Sequence, residues 1–247
     1  MEMQIDHRPG TEVQANRNRW RGPLIGIAAA AAILVAGLVF VLTRDNTPVA
    51  EPAPNATRLT MSMEFQPIDP GAYFADTDLL ESTSLRGTFV IESNGWLGTA
   101  AGAMKSLVDD GPYIALFIAE VDRVWSSACE SGRTQQAAAT TAEGLANQFV
   151  AAGFTNTGAL TPVSAFGHEG YHLATEVRPS CISQDFTVWG GSNWDGRYYQ
   201  TENQPLELWF LDVEGTPVLV EATWWPETPE EDVAELRTVL DTLVITP

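Results

Sequence analysis

Residues 206–224 read LELWFLDVEGTPVLVEATW, and this stretch decides the fold. Two apolar runs flank Glu214-Gly215. A two-residue loop ending in glycine marks a tight β-hairpin, because glycine adopts the required φ > 0 at little cost. Closing the hairpin there sets its register: Trp209 falls opposite Val220 and Leu211 opposite Val218. Side chains alternate along a strand, so Val218, Val220, Ala222 and Trp224 share one face while Leu219, Glu221 and Thr223 share the other. The first set is expected to look inward.

Outward from this hairpin the pattern stays mixed. Further strands are expected at residues 85–92, 113–119, 173–177 and 186–189. A helix is expected over residues 141–152, where Thr140 and Glu143 form a capping box, Leu145, Phe149 and Ala152 share one face, and Gly153 ends the run. A second helix is expected over residues 229–243. Thr228 caps it, Pro229 takes its first position, and Glu230, Glu231 and Asp232 sit at the positive end of its dipole. Val233, Leu236, Leu240 and Leu243 form its buried stripe. Hairpins plus two amphipathic helices indicate an α+β fold: an antiparallel β-sheet packed with about two helices.

Ahead of this domain lies PLIGIAAAAAILVAGLVFVL, residues 23–42, without a charge. Twenty residues at helical rise span about 30 Å, the thickness of a bilayer's hydrocarbon core. Lipid demands that the backbone pair with itself, which makes the segment a transmembrane helix. Arg17, Arg19 and Arg21 precede it, whereas downstream Arg44 is followed at once by Asp45. That asymmetry places residues 1–22 in the cytoplasm and the remainder outside, with Trp20 as an interfacial anchor. A cleaved signal peptide is the rival, but TRDNTPVAEPAP after Leu42 offers no clean small-x-small site. Residues 43–58 read as an extended Pro- and Ala-rich spacer, and residues 59–247 as one extracytoplasmic domain.

The chain has 247 residues and a formal charge of -19, with 45% hydrophobic residues, which suits a packed core rather than disorder. Arg8, Arg17, Arg19 and Arg21 against Glu2, Asp6 and Glu12 leave the tail nearly neutral. The acidity therefore lies beyond the membrane segment. A surface of that sign repels nucleic acid and anionic lipid headgroups. Lys105 is the only lysine. Scarce lysine with abundant alanine suggests a high-GC bacterial genome.

Two cysteines, Cys129 and Cys181, both fall on the outer side, where disulfides persist. A Cys129–Cys181 disulfide is expected, against the alternative of two free buried thiols.

His168-Glu169-Gly170-Tyr171-His172 matches the H-E-x-x-H of zinc hydrolases. That motif works on a helix, where positions i and i+4 bring two imidazoles to one metal and the glutamate acts as general base. Gly167 and Gly170 weaken a helix here, and TPVSAF and LATEV on either side are strand-like. Extended, the two histidines stand about 13 Å apart. The third histidine is His7, across the membrane; Glu202 or Glu207 could supply a carboxylate. The bland alternative is a hairpin turn with solvated polar residues. Asp76-Thr77-Asp78 is too short for a calcium loop. GGSNWDG, residues 190–196, followed by Arg197-Tyr198-Tyr199, is a polar loop with aromatics, suited to a glycan or peptide or to plain connection.

Several of these features together carry a resemblance: PGAYF at residues 70–74, Gly95-Trp96, VWSSAC ending at Cys129, TPVSAFGHEGYHLATEV, Cys181, ELWFLDVEGTPVLVEATW and the closing ELRTVLDTLVI. Over residues 70–246 the chain resembles an uncharacterised extracytoplasmic domain of actinobacterial single-pass membrane proteins, and distantly the PsbP-type α/β/α fold. The resemblance implies a strand–turn–strand at AFGHEGYHLATEV and brings no reaction or ligand. The expected role is non-enzymatic binding of an envelope ligand or protein partner at the cell membrane. No cofactor and no catalytic or metal-binding residue is expected. The alternative is a zinc-dependent hydrolase built on His168, Glu169 and His172.

Overall fold

The computed structural model describes residues 53–59, 64–77, 85–107, 113–126, 129, 133–156, 158–181, 187–191, 196–197 and 199–247. All lie in the unit formed by Pro48–Pro247. The segments expected as a cytoplasmic tail (residues 1–22), a transmembrane helix (residues 23–42) and most of a spacer (residues 43–58) lie outside the described residues. No helix among the described residues is long and apolar enough to cross a membrane.

The chain forms strands β1 (Thr57–Arg58), β2 (Gln66–Ile68), β3 (Gly71–Asp76), β4 (Arg86–Ile91), β5 (Trp96–Thr99), β6 (Gly102–Ser106), β7 (Tyr113–Glu120), β8 (Arg123–Ser126) and β9 (Thr134–Ala137). Helix α1 (Ala142–Ala151) follows, then β10 (Thr161–Ala165), β11 (His168–Glu176), β12 (Trp189–Gly190), β13 (Pro205–Val213) and β14 (Thr216–Trp224). Helix α2 (Glu230–Asp241) and β15 (Val244–Thr246) close the chain. Among the described residues the fold is α+β, with mostly antiparallel sheets and two α-helices.

The β13–β14 hairpin occupies the middle of an eight-stranded antiparallel sheet in the order β10-β11-β13-β14-β7-β6-β5-β2. Its register pairs Trp209 with Val220 and Leu211 with Val218, and Glu214 and Gly215 take φ of 53° and 86° at the turn. The expectation of one inward face is corrected: both faces are covered. On one side Leu206, Leu208, Phe210 and Leu219 meet Leu145 and Phe149 of α1, with Val124 and Trp189 from a small sheet ordered β12-β8-β9. On the other, Trp209, Leu211, Val218 and Val220 meet Leu236 and Val239 of α2, with Phe89, Ile91 and Ile245 from a sheet ordered β1-β3-β4-β15. Most of the pairs in these sheets are antiparallel, but β1 runs parallel to β3. The reason is legible in LELWFLDV, where both parities are apolar: neither face of β13 can be left in water.

The helix termini differ from expectation. Thr141, not Thr140, caps α1; its Oγ1 accepts from Gly144 N at 3.1 Å. Thr228 does not cap α2, whose N-cap is Pro229 without a side-chain bond. Thr228 Oγ1 instead accepts from Trp225 N at 3.1 Å, closing the turn before the helix. Helix α2 ends at Asp241, so Leu243 packs into the core from beyond the helix and leads into β15. The spacer's last two residues already belong to the fold, because Thr57 and Arg58 pair with Tyr73 and Phe74.

Candidate functional site

The alternation that puts Val218, Val220 and Ala222 into one core puts Glu221 and Thr223 into the other layer, where each is fully buried. A buried carboxylate is tolerated only with its oxygens hydrogen-bonded. Glu221 Oε1 accepts from Arg197 Nε at 2.9 Å, and Oε2 accepts from Trp189 Nε1 at 3.2 Å and from the Tyr199 hydroxyl at 3.0 Å. All three donors come from residues 189–199, the region of the glycine-rich loop. The backbone closes the same stem: Val188 N donates to Arg197 O at 2.9 Å and Arg197 N to Trp189 O at 2.7 Å. One carboxylate on β14 therefore gathers both ends of that segment.

A polar layer continues beside it. The Arg197 guanidinium lies over the rings of Phe117 and Tyr199, 4.8 Å from each centroid, and donates through Nη2 to the Tyr113 hydroxyl at 3.2 Å. Gln204 Nε2 donates to the same hydroxyl at 2.8 Å and to Thr223 Oγ1 at 2.7 Å, and its Oε1 accepts from Gln200 N. Burial alone would lower the Arg197 pKa. The Glu221 carboxylate outweighs it, helped by Tyr113 and Tyr199, and holds the guanidinium more firmly charged than usual. The Tyr199 hydroxyl is pushed up, first by burial and then by Glu221, so it stays a neutral donor. The cluster fixes positions: its carboxylate, guanidinium and hydroxyls hold one another across β14 and the loop stem. Sequence reading singled out the loop but missed Glu221, Thr223, Gln204 and Tyr113 as its foundation. The available signal was a lone glutamate inside an otherwise apolar strand.

The HEGYH residues lie on β11, not on a helix and not in the turn. The turn is Phe166-Gly167, at φ of 55° and 93°, pairing Ala165 with His168. Alternation turns His168 and His172 to the α2 side and Glu169 to the opposite face. Gly170 is required by close packing, since a Cβ there would stand 2.1 Å from Phe210 O. His168 Nε2 lies 2.9 Å from Ile245 O. A carbonyl only accepts, so this nitrogen carries the hydrogen and is not a free metal ligand. With Ile245 N donating to Phe166 O at 3.3 Å, the turn and His168 together cover both backbone groups of Ile245. His172 stacks on Trp209, with ring centroids 4.8 Å apart. Its Nε2 is 3.4 Å from Glu207 Oε2, within ion-pair reach but outside hydrogen-bond geometry. Both histidines are half-buried rather than solvated, and Glu202 is exposed. Among the described residues no three His, Cys, Asp or Glu side chains gather as a metal site. The spatial arrangement that the hydrolase chemistry requires is thus absent from β11. His168→Ala is expected to cost about 0.5–1.5 kcal/mol in denaturant unfolding, the net worth of one hydrogen bond. Stoichiometric zinc in the purified chain, lost in His172→Ala, would contradict the assignment.

A third cluster joins α2 to the β4–β5 turn. Glu235 Oε2 accepts from Lys105 Nζ at 2.7 Å, and Oε1 accepts from Trp96 Nε1 at 2.7 Å and from Ser93 Oγ. Partial burial pushes the Glu235 carboxyl up, but hydrogen bonds from Lys105, Ser93 and Trp96 outweigh it and hold it below its ordinary value. A depressed carboxyl stabilises the fold above its unfolded pKa, and that contribution disappears as pH falls through the folded one. Stability curves of wild type and Glu235→Gln are expected to converge in acid. A gap that persists below the carboxyl range would contradict this.

Asp76, from the short acidic motif, pairs with Arg58 and, at 3.5 Å, with Arg86, tying β1 to β3 and β4. The Cys129 and Cys181 sulfurs lie at disulfide distance, with Cα atoms 4.5 Å apart. Cys181 is buried in the α1-side core and Cys129 packs against it. Comparison of the chain with family models, curated proteins and solved structures finds no match in any of the three.

Proposed function

We propose that the chain is a membrane-tethered extracytoplasmic domain that binds an envelope ligand or protein partner and carries out no chemistry itself. The observation that carries this reading is Glu221 holding Trp189, Arg197 and Tyr199 on a rigid sheet. The stem residues Trp189, Arg197 and Tyr199 are held in a buried, hydrogen-bonded network, and fixing groups in advance lowers the entropic cost of binding. The uncharged segment at residues 23–42 supports a bilayer anchor with the N-terminus cytoplasmic. The cysteine pair suits an oxidising compartment, and the acidic surface disfavours nucleic acid. The resemblance to actinobacterial single-pass membrane proteins points the same way.

The test is capture from an envelope extract by the full chain in detergent. It is run beside a variant whose residues 191–196 are replaced by a short neutral linker and beside Glu169→Ala, altered at an exposed position of β11. Binding shared by wild type and Glu169→Ala, and lost with the loop, is the expected result. A ligand bound equally by the loop variant would remove the loop from the reading. Cytoplasmic accessibility of the domain in intact cells would overturn its placement.

A further inference from the structure

We infer that Asn94-Gly95 is a site of self-catalysed modification, at which the chain converts an asparagine to aspartate and isoaspartate with water as the only co-reactant. The two residues lie in the turn between β4 and β5, and both are exposed. Asn94 is the only asparagine followed by glycine in the chain. The reaction needs the backbone nitrogen of the following residue to reach the asparagine amide carbon. Glycine permits this because it has no Cβ to obstruct the approach. Gly95 has φ of 91°, and a Cβ there would meet only the Lys105 Cε, at 3.6 Å. Among the described residues neither the Asn94 side chain nor the Gly95 N–H is held by a hydrogen bond.

The tertiary structure adds what the dipeptide alone lacks. The Lys105 stem runs beside Gly95, and its ammonium is held by Glu235 at 2.7 Å. That brings the side chain of the chain's only lysine to the turn in which the Gly95 nitrogen must lose its proton and the Asn94 amide oxygen gains charge, and a cation in the neighbourhood favours both anionic forms. In the first step the Gly95 N–H gives its proton to solvent, the nitrogen bonds to Asn94 Cγ, and the Cγ–Nδ2 bond breaks as Nδ2 takes a proton from solvent and leaves as ammonia. In the second, water adds to either carbonyl of the five-membered ring and reopens it. No electrons are exchanged with any other group.

The test is peptide mapping of the full chain in detergent after incubation at mildly alkaline pH, with isoaspartate detected by enzymatic methyl transfer. Conversion at position 94 is expected ahead of Asn147 in α1 and Asn156, and is absent in Asn94→Gln. Lys105→Met is expected to slow conversion severalfold, and Lys105→Arg to retain it. An amide that survives at position 94 in the folded chain, over a period in which the urea-unfolded chain loses it, overturns the site. A Lys105→Met chain that keeps its fold and converts at the wild-type rate overturns the part assigned to the lysine.

Discussion

Glu221→Leu is expected to lose about 3–5 kcal/mol of stability, the usual result of removing one partner from a buried ion pair. The loss arises from what remains behind. Arg197 stays charged with 12% of its side chain exposed, and Trp189 Nε1 and the Tyr199 hydroxyl lose the acceptor they share. Leucine contributes apolar contact in the α1-side layer but accepts no hydrogen bond. The paired variant Glu221→Leu with Arg197→Met is expected to recover more than half of the deficit, because the uncompensated charge is gone. Denaturant unfolding of the four chains in a double-mutant cycle measures the coupling. Simple additivity of the two single losses would show that the pair does not act as a unit. Loop capture of a partner should fall in Glu221→Leu even under conditions where the domain stays folded, because the stem at Trp189 and Arg197 is no longer held.

The second large effect belongs to the cysteines. They are 52 residues apart, and closing a loop of that length stabilises by about 4 kcal/mol on the chain-entropy account. Cys129→Ser with Cys181→Ser, or mild reduction of the wild type, is expected to lower the unfolding free energy by that order. Cys181 is fully buried beside Phe154, so the serine at that position adds a polar penalty that reduction of the wild type does not. The two experiments separate the cross-link from the packing. Alkylation of two thiols in unreduced protein would remove the bridge from the account altogether.

The hairpin was readable because its information is local. Glu214-Gly215 needs φ > 0, only a tight turn supplies it, and the register of Trp209 against Val220 follows by counting. The helices were readable for the same reason, through a 3.6-residue apolar period. Their caps were not, because Thr140 and Thr141 compete within one residue and tertiary packing chooses between them. Thr228 has the right chemistry for a cap yet is drawn to Trp225 N. Short strands such as β2, β8, β9 and β15 carry too few residues for periodicity to register.

HEGYH shows where a local pattern ends. Its glycines and flanking residues argue against a helix, but nothing nearby in sequence indicates that His168 would reach Ile245, 77 positions on, or that His172 would lie on Trp209. The Glu221 network is the sharper case. Its donors lie 22 to 32 residues away along the chain, and Tyr113 is 91 residues from Gln204. Such a cluster exists only after the strands have assembled.

The sequence by itself therefore determined the α+β class, the central hairpin and its register, and the two helices, and it favoured a Cys129–Cys181 pairing over two free thiols. Each rests on short-range periodicity, turn chemistry or simple exclusion. The tertiary structure decided that both faces of the hairpin are buried, that His168 is an edge-strand partner, and that Glu221 anchors the glycine-rich loop. The physical reason is the same in each instance. Desolvation depends on which distant segments cover a residue, and a polar group's meaning changes once water has been removed from around it.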